Sequence, residues 1–288
     1  MKVTNGAGIL VEALAAQGVT HVFSISGGQM SAAYDVMDRR GDMAVVTPRC
    51  ETSAPIMAAG YIASTGRPAV SMCTVGAGVV YEMGGMAVPW LRYLPVVSIA
   101  PQVQSWKMKP HQASLQACDQ DELFKPVAKF TAVAGQAGRI PQLVNRAFRE
   151  ALSGSPGPVH LDVPVDVMMG RKFLSAGKYA SLFPHPSSTR YGGRIPGDPE
   201  AAARAVDAVK KARKPLVVLG QGVGRPCRAP GVPALLENLN VPVLTTLLCT
   251  GVSGAKSPVF AGDLSAFAQS GEGAKILAEA DAVVVLAA

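Results

Sequence analysis

Apolar residues along this chain fall into short continuous runs, separated by longer stretches of mixed polarity. Residues 6–17 read as a helix, with Asn5 as its N-cap and Gly18 as its stop. A strand is predicted over 20–25, then a turn at Ser26-Gly27-Gly28, then a helix at about 29–39. Strands follow at 43–47 and 69–74, with a helix at about 51–65 between them. Gly76-Ala77-Gly78 opens another helix, and 94–100 is a strand of the fully buried kind. After an irregular 101–120 come a strand near 129–134, a helix near 140–153 and a strand at 158–163.

Apolar strands alternating with helices imply a parallel sheet covered on both faces. In such sheets a ligand sits beyond the carboxyl ends of the strands, so residues just after each strand carry the information. The expected fold class is α/β: a parallel, helix-covered N-terminal domain and a second, incomplete parallel α/β domain. The second unit reads as a helix at 199–212, a strand at 215–219, a helix at 230–238, a strand at 241–246, a helix near 271–279 and a strand at 282–287. Three strands make a small sheet, so this unit reads as cut short. Between the units, a stretch rich in Pro, Ser, Gly and basic residues reads as a linker. The expected boundaries are 1–168, a linker over 169–196, and 197–288.

Composition narrows the function classes. Hydrophobic residues make up 49% of the 288 and charged residues 16%, which excludes a disordered chain. The formal net charge of +7 is spread along the sequence without interleaved aromatics, so no nucleic-acid partner is expected. Five cysteines without a CxxC pair, and four scattered histidines, indicate neither a disulfide framework nor a metal site in this chain. No run approaches the roughly 18 apolar residues of a membrane span, and no leader-like segment opens the chain. The expected setting is cytoplasmic, without membrane contact.

Three post-strand positions carry candidate chemistry. Ser26-Gly27-Gly28 and Thr74-Val75-Gly76-Ala77-Gly78 offer glycine turns that let a flat ligand approach the backbone, or are simply turns. Glu51 stands near a helix start, either complementing the dipole or placing a carboxylate at the ligand edge. Gln102, His111, Gln112, Gln116 and Asp119 lie in the irregular loop, lining a site or facing solvent. Residues 220–225 fall short of GxGxxG because Arg225 holds the last position.

The chain resembles thiamine-diphosphate-dependent enzymes of the acetolactate synthase and pyruvate oxidase type. His21-Val22-Phe23-Ser24-Ile25-Ser26-Gly27-Gly28 is similar to that family's HVFGVPGG. Arg49-Cys50-Glu51 with Ala54, Met57-Ala58-Ala59-Gly60-Tyr61 and Thr65-Gly66 is similar to RHE…A…MA-GYAR-TG, and residues 74–78 to TSGPG. Leu115-Gln116 is similar to FQ, and 157–167 to GPVHLDLPxDV. The resemblance covers residues 1–170 as a pyrimidine-binding domain and 195–288 as the start of a central domain.

The resemblance implies roles. Glu51 would bind N1′ of the aminopyrimidine and drive the exchange that frees the thiazolium C2 proton, the catalytic step. Ile25, Ser26, Gly27, Gly28, Thr74, Gly76, Gly78 and Tyr81 would line the cofactor, and Gln116 and His111 would face the substrate, a 2-oxo acid. The implied reaction is decarboxylation followed by transfer of the acyl carbanion to an acceptor. A simple 2-oxo acid or acyl-CoA decarboxylase, or a non-catalytic remnant subunit, stands as an alternative. Ser26 replaces Pro, Cys50 replaces His, Ala77 replaces Pro, Tyr81 replaces Asn, and Ala117 replaces an acidic residue. The family holds Mg²⁺ and the diphosphate with a GDG…NN motif, whereas Gly262-Asp263-Leu264 lacks the second Gly. Mg²⁺ is therefore expected on a C-terminal domain or a separate diphosphate-binding subunit, in a homodimer or hetero-oligomer. FAD or ADP in the central domain is an alternative that residues 220–225 do not support.

Overall fold

The structure, a computed structural model, describes residues 2–110, 114–186, 197–223, 231–252 and 257–286, in two units over 1–192 and 193–288. In the first unit, strand β1 (Lys2–Asn5) leads into helix α1 (Gly6–Ala16), whose N-cap Asn5 accepts from the Gly8 amide at 2.8 Å. There follow β2 (His21–Ser24), α2 (Ser31–Arg40), β3 (Ala44–Val46), α3 (Ser53–Thr65), β4 (Val70–Met72), α4 (Ala77–Leu91) and β5 (Val97–Gln102). The unit continues with α5 (Gln120–Phe124), β6 (Thr131–Val133), α6 (Ile140–Leu152), β7 (Val159–Pro164), α7 (Val165–Met169), β8 (Arg171–Leu174) and α8 (Ala176–Ala180). The α/β expectation holds, with each predicted strand and helix of this unit present within a few residues.

Six strands form one all-parallel sheet in the order β3-β2-β4-β5-β7-β6. The chain leaves β2 toward β3 on one side, then returns to place β4 on the other. β2 and β4 therefore flank the point where the strand order reverses, which in such sheets is the place for a ligand crevice at the carboxyl ends.

Alternation along the strands divides the core in two. Val22, Val70, Met72, Val97, Ile99, Val159, Leu161 and Val163 face one way, packed with α1, α2 and α6. Phe23, Ala69, Cys73, Val96 and Ala100 face the other, packed with α3, α4 and α5. This second face also carries fully buried Ser71, Ser98, His160 and Asp162. Burying polar groups there costs stability unless they bond one another.

The linker expectation needs correction in its first half. β8 pairs antiparallel with β1, and Tyr179 of α8 is buried in the first core. Neither strand shows an apolar run, because their partners are supplied by each other rather than by the main sheet. Residues 187–196 of that stretch lie outside the described residues.

The second unit holds α9 (Pro199–Lys211), β9 (Pro215–Leu219), α10 (Val232–Leu239), β10 (Val243–Thr245), β11 (Phe260–Asp263), α11 (Leu264–Gln269), α12 (Gly271–Glu279) and β12 (Ala282–Leu286). Its parallel sheet runs β11-β10-β9-β12, four strands rather than the three expected. β11 escapes a pattern reading because its sequence Phe-Ala-Gly-Asp has no apolar run, and its Gly262 sits at φ +127° beside a register shift. Asp263 ends β11 and caps α11, accepting from the Ser265 amide at 2.9 Å.

Candidate functional site

At the candidate crevice, beyond the carboxyl ends of β2 and β4, the turns after these two strands nearly touch. A Cβ added to Gly27 would stand 2.5 Å from Cβ and Oγ1 of Thr74, so the two turns meet at a distance only glycine permits. Gly76, at φ +76°, lies under the loop after β5, where a Cβ would stand 2.7 Å from the Gln116 carbonyl oxygen. A Cβ on Gly78 would meet Thr74 Cγ2 at 2.8 Å and Glu51 Oε1 at 3.6 Å. Gly27, Glu51, Thr74, Gly76, Gly78 and Gln116, distant in sequence, are thereby one neighbourhood.

Glu51 is half-buried and precedes α3, which starts at Ser53 behind its N-cap Thr52. The carboxylate thus stands ahead of the first turn and beside Gly78. Among the described residues no hydrogen bond or ion pair engages it. Next to it, Thr52 Oγ1 donates to the Tyr81 carbonyl at 2.8 Å and ties α3 to α4. Tyr81 reaches the site through this backbone contact, and its side chain is 62% exposed. Cys50 is exposed, and a hydrogen bond with Ser53 Oγ at 3.2 Å pulls its thiol pKa below the ordinary value.

The other predicted residues are placed as follows. The Ile25 carbonyl accepts from Tyr34 Oη at 3.3 Å. Ser26 is exposed and lines a cleft of about 470 Å³ with Ser24, Tyr34, Asp38, Met43, Val45 and Thr47. Gly28 opens a short 3₁₀ turn (Gly28–Met30) and faces open space. His111 lies outside the described residues.

Two site residues escaped the sequence reading. Gln29 accepts from Thr74 Oγ1 at 3.0 Å and donates to Gln116 Oε1 at 2.8 Å, latching the β5 loop to the β4 turn. Gln120 accepts from the Gly76 amide at 3.0 Å. A glutamine on a mixed-polarity helix carries no signal of its own, because its partners come from other segments.

A further polar seam lies behind the turn. Glu82, fully buried on α4, accepts from Cys73 Sγ at 2.7 Å and from Ser98 Oγ at 3.1 Å. Ser98 Oγ meets His160 Nδ1 at 2.9 Å, and His160 Nε2 meets Asp162 Oδ1 at 3.0 Å. Burial pushes the carboxyl of Glu82 above the ordinary carboxylate range and raises the Cys73 thiol as well.

Residues 4–123 match the thiamine pyrophosphate enzyme N-terminal TPP binding domain, and 202–288 match the thiamine pyrophosphate enzyme central domain. The two matches together take in most of the chain. It belongs to the thiamine-diphosphate-dependent enzymes. The chain is 31% identical over 252 residues to the acetolactate synthase isozyme 3 large subunit of Escherichia coli (strain K12), covering 87% of this chain and 43% of that protein. It is 29% identical over 252 residues to the acetolactate synthase large subunit of Buchnera aphidicola subsp. Schizaphis graminum (strain Sg), with the same coverage. Against the acetolactate synthase of Bacillus subtilis (strain 168) it is 29% identical over 248 residues, covering 86% of the chain and 41% of that protein. The chain thus spans less than half the length of the curated relatives it matches. In this thiamine-diphosphate enzyme family member, the glycine-walled crevice lies inside the N-terminal match for the turns at 26–28, 49–52 and 74–78.

Proposed function

We propose that this chain supplies the pyrimidine side of an acetolactate-synthase-like active site, where a 2-oxo acid is decarboxylated and its acyl unit passes to an acceptor. The observation that carries the reading is the unengaged carboxylate of Glu51, 3.6 Å from where a Cβ on Gly78 would stand. These residues fit an aminopyrimidine. Gly27 and Gly78 leave the wall free of side chains, and a carboxyl group can share a proton with a ring nitrogen. Thiamine diphosphate, when bound, supplies the nucleophilic carbon.

The chain's own residues then have defined tasks. Glu51 holds the proton at the ring nitrogen. The adjoining turns at 25–28 and 74–78 form the wall that orients the ring. Gln116, held by Gln29, faces the substrate side of the crevice. Mg²⁺ and the diphosphate are assigned to a domain or partner chain outside these residues, since no GDG motif occurs in them. A partner is further supported by the exposed face of α3 and α4. There Ile56, Met57, Val80, Tyr81 and Leu91 stand exposed without an exposed charged residue on either helix.

Native mass spectrometry of the protein from its own source tests the assembly. The expected species contains this sequence, a diphosphate-binding domain or chain, and the mass of thiamine diphosphate with Mg²⁺. In that holoenzyme Glu51→Gln is expected to lower turnover by about 10²–10⁴-fold. Wild-type turnover in the variant, or a source protein that carries no cofactor, would overturn the reading.

A further inference from the structure

The buried seam behind the 74–78 turn connects end to end. From α4 it runs Glu82, Ser98, His160, Asp162 and Gln120, and its last bond is to the Gly76 amide. Each of these side chains is fully buried. α4 has a single charged residue, Glu82, and it points inward while the exposed face is apolar. His160 is stacked flat on Phe124, with ring centroids 3.7 Å apart, so its ring cannot turn to find other partners.

With Asp162 ionised and any Glu82 proton on Oε2, hydrogen counting gives this chain two arrangements. Ser98 has one hydroxyl proton and stands between a carboxyl oxygen and a ring nitrogen. In one arrangement Glu82 carries a proton and donates it to Ser98, Ser98 donates to His160 Nδ1, and His160 Nε2–H donates to Asp162. In the other, Ser98 donates to Glu82 and accepts from His160 Nδ1–H. Moving from the first to the second transfers the Glu82 proton to Ser98 Oγ and the Ser98 proton to His160 Nδ1. No proton is gained or lost, and neutral Glu82 with neutral His160 becomes a carboxylate with an imidazolium.

We propose that Glu82, Ser98, His160, Asp162 and Gln120 are positioning residues that share one buried proton, and that its place sets how tightly the Gly76 amide is held at the crevice. The coupling is electrostatic. Asp162 Oδ1 accepts both from His160 and from Gln120 Nε2. An imidazolium draws the Asp162 charge toward itself and weakens the bond to Gln120. Gln120 also donates to the Pro101 carbonyl at 3.1 Å, so it cannot swing away to compensate. The strain passes to Gly76, whose φ of +76° is held by this bond and by the overlying Gln116 loop.

The titratable groups acting on Glu82 are Cys73 after β4 and His160 on β7; Glu51 and Asp162 act on Cys73, and Glu82 and Cys73 act on Tyr34 of α2. Burial raises both Cys73 and Tyr34, so neither offers a competing anion. The link from Gly76 to a bound cofactor rests on the reading above; the proton sharing does not.

Ring-nitrogen and amide NMR of the full ¹⁵N-labelled chain tests the relay. The wild type is expected to show a His160 Nδ1 shift between the bare and protonated values. Glu82→Gln and, separately, Ser98→Ala are expected to move Nδ1 to a single fixed-tautomer value and to shift the Gly76 amide resonance. A wild-type Nδ1 already at a fixed-tautomer value would overturn the proposal without any variant. So would a Gly76 amide unmoved in whichever variant folds. Calorimetric titration of the wild type with thiamine diphosphate checks the cofactor reading separately, since a chain that binds no cofactor can still share the proton.

Discussion

Glu82 and Glu51 are two carboxylates with opposite surroundings. Among the described residues Glu51 has no partner at the mouth of the crevice, which suits a group that must meet a ligand. Glu82 is sealed behind the same turn, where burial favours its neutral form. That difference has a pH consequence. Below the ordinary value of 4.5, folded and unfolded chains both keep the Glu82 proton. Above it the unfolded chain releases the proton and the folded chain retains it, so folding is progressively penalised until the raised folded value is passed. Glu82→Gln is therefore expected to gain stability relative to wild type as pH rises above 4.5, in urea denaturation. A difference that stays flat with pH would mean that Glu82 is ionised in the fold. Sequence periodicity marks Glu82 only as the single charge on an apolar helix, and nothing local says that the charge faces inward.

At the scale of elements, the strands and helices of the main sheet were legible because their apolar runs have lengths and spacings that allow one reading. The polar seam was legible in hindsight only. Val97-Ser98-Ile99 and Val159-His160-Leu161-Asp162-Val163 alternate like half-exposed strands, yet both faces are covered and the polar face is buried. The strands that went unread failed for a different reason. β1, β8 and β11 owe their existence to pairing partners distant in sequence. The α3–α4 contact depends on such a long-range approach as well. A Cβ on Gly85 would stand 2.1 Å from the Thr52 carbonyl oxygen, a backbone atom that cannot move aside cheaply. Gly85→Ala is expected to cost about 1–3 kcal/mol in urea denaturation, and to loosen Thr52 beside Glu51. Unchanged stability would show that the two helices part without penalty.

For the whole molecule, each hydrophobic cluster is drawn from one unit alone. Both tryptophans, Trp90 and Trp106, belong to the first unit. Leu219, fully buried on β9 in the second unit, fills one of that unit's clusters. Leu219→Ala is expected to cost about 2–5 kcal/mol there and to lower the melting of the second unit, followed by circular dichroism. The tryptophan fluorescence transition should stay in place. A matching shift in fluorescence would show that the two units unfold as one.

The sequence by itself determined the α/β class, the alternation of elements, and the turns after the first strands that carry Glu51 and the glycines. These follow from local periodicity and from glycine's lack of a side chain, which need no knowledge of neighbours. Only the tertiary structure decided which turns meet. Placing β4 beside β2 presses Gly27 against Thr74 and brings Gly78 to Glu51. The order of strands likewise set His160 beside Ser98 and joined Glu82 to the Gly76 amide through four side chains. Periodicity is a property of one segment, whereas a hydrogen bond between segments depends on how the chain returns through space.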